Sequence, residues 1–198
     1  MTARVQTGGG MSTRVRISVA LAVWGLLYSA YRAYYALGGT AGMFGTPVSQ
    51  AQWLAINAVG AGILLVAAVL PPATLPLWRH RSGRRRAMLA LCWVAAVGCV
   101  MHALVDSVQR ALSLAGLLHI ELPFWRTLDR RTADLQDLLF NEPWFLIEGL
   151  LWAALALTSL DAGTQRRRWL AGAGIAVAVL TAIGLLSATG VIGTFIVG

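Results

Sequence analysis

Apolar residues run through this chain in five long stretches, at 17–37, 53–70, 87–107, 142–160 and 169–198. Each comes close to, or exceeds, the ~20 residues that a helix needs to cross the hydrocarbon core of a bilayer. The first is preceded by Arg14 and Arg16 and carries the small residues Ala30 and Ala33 in its later part, as in a signal peptide. It is nevertheless long and rich in tyrosine, and the rest of the chain also spans membrane, so it is retained as a helix. The second ends at Pro71-Pro72, with Trp78 expected at the interface. The fifth is longer than a crossing requires, and is expected to tilt, to bend at Gly184 or Gly190, or to fray. Its Gly172, Gly174, Ala176 and Ala178 make a small-residue face suited to close helix packing.

The polar segments are unequal. Residues 1–15 read as a disordered tail, in which Met11 is a second candidate start. Residues 38–52 are uncharged, contain Gly-Gly and Pro47, and read as a loop. Residues 108–141 form the one long connection. There Val108, Ala111, Leu112, Ala115 and Leu118 recur at helical spacing, which predicts an amphipathic segment lying in the interface. Phe124-Trp125-Arg126 reads as an interfacial anchor, and residues 132–140 as another short helix with Asp134 and Asp137 near its start. Pro143 suits the first turn of the fourth span, with Asn141 or Glu142 as its cap.

Composition narrows the class. The chain is 58% hydrophobic and 12% charged, too little charge to cover a soluble domain of 198 residues. All sixteen basic residues are arginine, which is read as GC-rich coding and a bacterial source. The net charge of +8 sits in short loops between apolar runs, so it points to membrane orientation and away from nucleic acid. With the N-terminus inside, eleven arginines fall on the cytoplasmic side: Arg4, Arg14, Arg16, the five of the 79–86 cluster and Arg166, Arg167 and Arg168. Arg110, Arg126, Arg130 and Arg131 fall outside, diluted by five acids. The expectation is an all-α polytopic bundle of five transmembrane helices, N-in and C-out, with short interfacial helices between the third and fourth. It forms a single domain over residues 16–198, in a bacterial cytoplasmic membrane. Cys92 and Cys99 lie seven residues apart on one helix, ~10 Å along its axis and too far for a disulfide.

Polar groups inside the spans carry the candidate chemistry. Arg32, Asn57, His102 and Glu148 each lie four or five residues from the outer end of their span. That places all four ~6–8 Å below the outer surface, because successive spans alternate in direction. Cys92, Ala95, Cys99, His102 and Asp106 form one stripe; Gly25, Tyr28, Ser29, Arg32 and Tyr35 form a second, and Phe145, Glu148 and Trp152 a third. Packed stripe to stripe, they predict ion pairs of Arg32 with Glu148 or Asp106 and of His102 with Asp106. Such pairing offsets most of the ~2.5–3.5 kcal/mol that each charge costs at the bilayer centre. The expected site has His102, Asp106 and Glu148 as acid/base residues and Tyr28, Arg32, Asn57, Glu142 and Trp152 around a ligand. The plain alternative is a structural polar cluster that fixes helix register, with Arg32 snorkelling outward.

No cofactor is expected. One His with two acids and no HExxH pattern is a poor metal motif, and His80 and His119 lie in or beside loops, which argues against haem. The expected partners are the bilayer and a hydrophobic small molecule, a lipid or an isoprenoid. Catalysis on such a lipid by an isomerase or cyclase, and service as a non-catalytic subunit docked through the fifth span or as a homo-oligomer, are the other readings.

Two resemblances rest on these motifs. The run from His102 through Asp106, the Phe124-Trp125-Arg126 loop and NEPWFLIEGLLW resembles uncharacterised multi-pass membrane proteins of GC-rich bacteria. The order His-x-x-x-acid, Trp beside a basic residue, then Glu on the next span is similar to the emopamil-binding, sterol-isomerase type of membrane protein. That likeness implies that His102, Asp106 and Glu148 move a proton on a sterol double bond. The Asn and Trp of that family's last helix have no counterpart in residues 169–198, which lack Asn and carry Trp only at the start.

Overall fold

The computed structural model describes residues 12–76, 83–120, 122–161 and 163–192. Most of the expected tail, Trp78, His80, the first part of the arginine cluster and residues 193–198 lie outside them. The described residues are mainly helical, with one small sheet: α1 (Thr13–Ala36), β1 (Gly45–Pro47), α2 (Gln50–Ala73), α3 (Gly83–Leu114), β2 (Trp125–Leu128), α4 (Arg130–Gln136), α5 (Glu142–Leu157) and α6 (Thr164–Ala188). Among them, four helical segments are long and apolar enough to cross a membrane: Gln50–Ala73, Gly83–Leu114, Arg130–Leu157 and Thr164–Ala188. α1 is as long as α2. It is less apolar because it carries Arg32 and all four tyrosines of the chain.

Small residues let α1 and α2 pack closely and antiparallel. A Cβ at Gly25 would lie 3.0 Å from the Ala68 Cβ, the Ser29 hydroxyl donates to the Ala61 carbonyl at 2.8 Å, and Gly60 lies under the Arg32 guanidinium. α3 and α5 meet just as closely at Gly149, where a Cβ would lie 2.8 Å from a Val100 methyl and 3.1 Å from the Ala96 carbonyl oxygen. Between these pairs Leu21, Met88, Cys92, Ala96, Trp152, Leu155 and Ala156 form the buried core. Cys92 and Cys99 are both free thiols. α6 lies along the outer side of α3, with Gly184 against Val105, and most of its surface is exposed. An added Cβ at Gly174 would meet nothing within 4 Å, whereas one at Gly172 would reach Trp93 at 4.0 Å. α6 continues without a break through Gly184 to Ala188, and Gly190 follows with a φ of 75°.

The C-terminus of α5 gathers three arginines. Arg14 of α1 donates to the Thr158 carbonyl, Arg85 of α3 to the Ser159 carbonyl, and Arg166 of α6 to the Leu157 carbonyl. These carbonyls have no partner within their own helix, and the negative end of the helix dipole favours cations there. The basic starts of α1, α3 and α6 are thereby brought to one end of the bundle.

The long connection departs from expectation in three ways. The 108–118 segment is no separate interfacial helix; α3 continues without a break to Leu114. The short helix at 132–140 and the fourth span are one continuous helix, Arg130–Leu157. Neither Asn141 nor Glu142 caps a helix start, since both have helical backbone angles. The cap is Asp129, whose carboxylate accepts from the Thr132 hydroxyl and amide and is held below the usual carboxylate range chiefly by the hydroxyl. A π turn at Asp137–Asn141 joins α4 to α5, with the Glu142 amide bonded to the Asp137 carbonyl. Pro143 supplies the reason: its ring would clash with the carbonyl four residues back, and a wider turn relieves the clash.

The third departure is the sheet. β1 pairs antiparallel with β2, Gly45 opposite Leu128 and Thr46 opposite Thr127, with a bulge before Pro47. The loop at 38–52 therefore contains a strand and the start of α2. Trp125, expected as an interfacial anchor, packs between Phe44 and Trp53 at ring distances of 5.0 Å each. The sheet covers the ends of α1 and α2 on the side opposite the arginine cluster.

Candidate functional site

At the sheet end of the bundle, α2 and α3 stand on opposite sides of a cleft floored by α1 and α5. The cavity between them measures about 370 Å³. Ile63 and Leu64 of α2 form one wall, Tyr28 and Arg32 of α1 and Phe145 of α5 the floor. His102, Asp106 and Arg110 of α3 face Asp137, Asn141 and Glu142 of the π turn across the far wall. The π turn places these groups side by side. Its extra residue widens the helix locally and brings Asp137, Asn141 and Glu142 to one face.

The polar wall divides into two clusters. In the first, Arg110 lies 3.2 Å from Asp134 and 2.9 Å from Asp137. Asp134 also accepts the Ser113 hydroxyl at 2.6 Å, and Asp137 accepts the Asn141 amide at 2.6 Å. Asn141 in turn accepts from the Tyr28 hydroxyl at 3.1 Å, which ties the network to α1. In the second cluster, His102 Nε2 lies 3.6 Å from Asp106 Oδ2 and 3.8 Å from Glu142 Oε2. The His102 ring meets the edge of Phe145 at 4.4 Å. His102 is 44% exposed toward the cleft, whereas Glu142 is 3% exposed and its Oε2 has no hydrogen-bond partner.

Of the residues expected at the site, Tyr28, Arg32, His102, Asp106 and Glu142 line this cavity. Glu148, Asn57 and Trp152 do not. Glu148 is buried, with Oε2 unpartnered. Asn57 is fully buried and donates to the Trp53 carbonyl at 2.8 Å within its own helix. Trp152 belongs to the hydrophobic core. The expected pairing of Arg32 with Glu148 or Asp106 is not formed: Arg32 makes no ion pair or hydrogen bond among the described residues. Glu142 stands where Glu148 was expected, because the helix begins at Arg130 and Glu142, directly after the π turn, faces the cleft. Arg110, Asp134 and Asp137 were assigned to the connection between the third and fourth spans, outside the site. Extending the stripe of His102 and Asp106 by one turn reaches Arg110, and that was the available signal.

Trp24 and Trp144, beside the site, stack at 4.0 Å, with Tyr28 5.3 Å from Trp144. Trp93 lies in a separate apolar groove with Trp169 near the arginine end. No known protein family, curated protein or solved structure matches the chain.

Proposed function

We propose that this is a five-span membrane protein, N-in and C-out, whose cleft at the outer end binds an amphiphile: a lipid or isoprenoid with a polar or anionic head. The observation that carries this reading is the cavity itself. Its volume falls in the usual range for small-molecule sites, ~300–1,000 Å³. It has apolar lining from Ile63, Leu64 and Phe145, and on its floor an arginine with no ion-pair partner among the described residues. An intramembrane cation without a counter-ion is expensive and is a functional candidate by default. An acyl or prenyl tail would lie along α2 while its head met Arg32. The orientation is supported by the meeting of Arg14, Arg85 and Arg166 at the opposite end, the arginine-rich side that faces the cytoplasm in membrane proteins. α1 is read as the first span because it packs along α2 and presents Val19, Val23, Leu26 and Leu27 outward.

Arg32→Gln is expected to weaken amphiphile binding by about 10- to 100-fold, the equivalent of the ~1.5–3 kcal/mol of a hydrogen bond to a charged group. Native mass spectrometry of the protein with a membrane lipid extract, followed by thermal shifts with the lipid retained, measures this. A wild-type protein that retains no lipid, or a variant that retains it equally, defeats the reading. A membrane-embedded isomerase or cyclase is the second reading, favoured by the imidazole and two carboxylates at the cavity wall, where a proton can be passed. New lipid products on incubation with purified protein would distinguish it from a binding protein.

A further inference from the structure

The donor atoms of His102, Asp106 and Glu142 all lie within 4.8 Å of one another. We propose that His102 Nε2, Asp106 Oδ2 and Glu142 Oε2 bind a divalent metal ion, zinc by geometry, with one coordination position left open to the cavity. The assignment does not depend on which amphiphile, if any, fills the cleft.

Four observations carry it. The first is spacing. The Nε2 to carboxylate distances of 3.6 and 3.8 Å are too long for hydrogen bonds, which fall at ~2.7–3.2 Å. They lie close to the ~3.4 Å that separates two ligands of a tetrahedral ion with bonds of ~2.0–2.1 Å. The second is the state of Glu142. Its side chain is 3% exposed, its Oε2 has no hydrogen-bond partner, and that same atom faces the His102 nitrogen. A buried polar atom left unsatisfied is costly, more so when charged, and an ion in this gap removes that cost.

The third is charge. Asp106, Asp137 and Glu142 line the cleft with Arg32 and Arg110, and Asp134 lies buried against Arg110, so at full ionisation these four acids exceed the two arginines by two charges. Arg110 is shared between Asp134 and Asp137 and forms no ion pair with Glu142. A dication balances the set. The fourth is access. His102 and Asp106 stand one turn apart on α3 and are partly exposed, while Glu142 is fixed in the π turn behind them. An ion can enter from the cleft and meet a rigid third ligand. Three protein ligands and an open position are the arrangement of zinc sites that activate water or hold a substrate oxygen. One imidazole and two carboxylates form a donor set of intermediate hardness that suits zinc.

Cobalt(II) is the probe, since it takes the same ligands and reports its geometry by visible absorption. Tag-free protein, purified in detergent and stripped with a chelator, is titrated with cobalt(II) and back-titrated with zinc. One equivalent per chain with the intense absorption of tetrahedral cobalt is expected, and zinc should displace it. His102→Ala and Asp106→Asn are each expected to lower the affinity by about 100-fold, at least the loss that second-shell changes produce. Both residues are partly exposed, so the variants should keep the wild-type elution profile and helicity. Arg32→Gln, which removes a repelling charge, should bind cobalt as tightly as wild type or more tightly. Absence of saturable uptake, octahedral absorption only, undiminished binding in His102→Ala, or a loss in Arg32→Gln overturns the assignment.

Discussion

Arg110→Met is expected to lower stability by about 3–5 kcal/mol, the effect of removing one partner from a buried charge pair. The arginine holds two carboxylates at once, and one of them, Asp134, is only 1% exposed. Methionine fills much of the same volume, so the loss reflects the stranded carboxylates and not a cavity. The measurement is thermal unfolding in mild detergent, followed by loss of the monodisperse elution peak. Adding Asp134→Asn and Asp137→Asn to the Arg110→Met chain should recover part of the stability, because amides are cheaper to bury than unpaired carboxylates. A variant that melts with the wild type would mean that water, and not Arg110, satisfies this network.

The second large effect is expected at Gly149→Val. Any side chain there meets a Val100 methyl, the Cys99 Cβ and the Ala96 carbonyl oxygen, the last fixed in the backbone of α3. Overpacking of this kind costs about 1–3 kcal/mol, and a β-branched residue stands at the upper end because its rotamers are restricted on a helix. Gly149→Ala should fall at the lower end. Val100→Ala should relieve the alanine variant more than the valine variant, because it removes the nearest methyl but not the carbonyl. Separating α3 from α5 also pulls His102 from Glu142, so cobalt binding should fall together with stability. Equal melting of wild type and Gly149→Val would show that the helices can part at this contact without loss.

The helices were legible because long apolar runs leave few alternatives. The antiparallel packing of α1 on α2 was legible in part, since Gly25, Ser29 and Arg32 lie on one stripe and indeed face α2. The cleft was half legible for the same reason: the repeat through His102 and Asp106 marks the inward face of α3. The shift from Glu148 to Glu142 was not. It depends on the π turn, and the residues at the end of that turn and just after it, Asn141, Glu142 and Pro143, are the residue types that begin helices. With no view of the turn before them, a cap is the natural reading. The sheet was hidden by brevity. β1 and β2 are three and four residues long, too short to show alternation, and one contains proline. The end of α3 was misplaced because Asp106 and Arg110 look like the edge of the membrane, when they are paired polar groups lining a cleft.

The three arginines at the end of α5 have a bearing on biogenesis. Arg14, Arg85 and Arg166, from the starts of α1, α3 and α6, are all bonded to the C-terminal end of α5 once the bundle is closed. Swapping them to invert the topology would therefore unfasten the assembled helices as well, and a failed inversion experiment there would report loosened packing as much as altered threading. Because one of the three belongs to α6, that last turn is fully fastened only after α6 has been delivered.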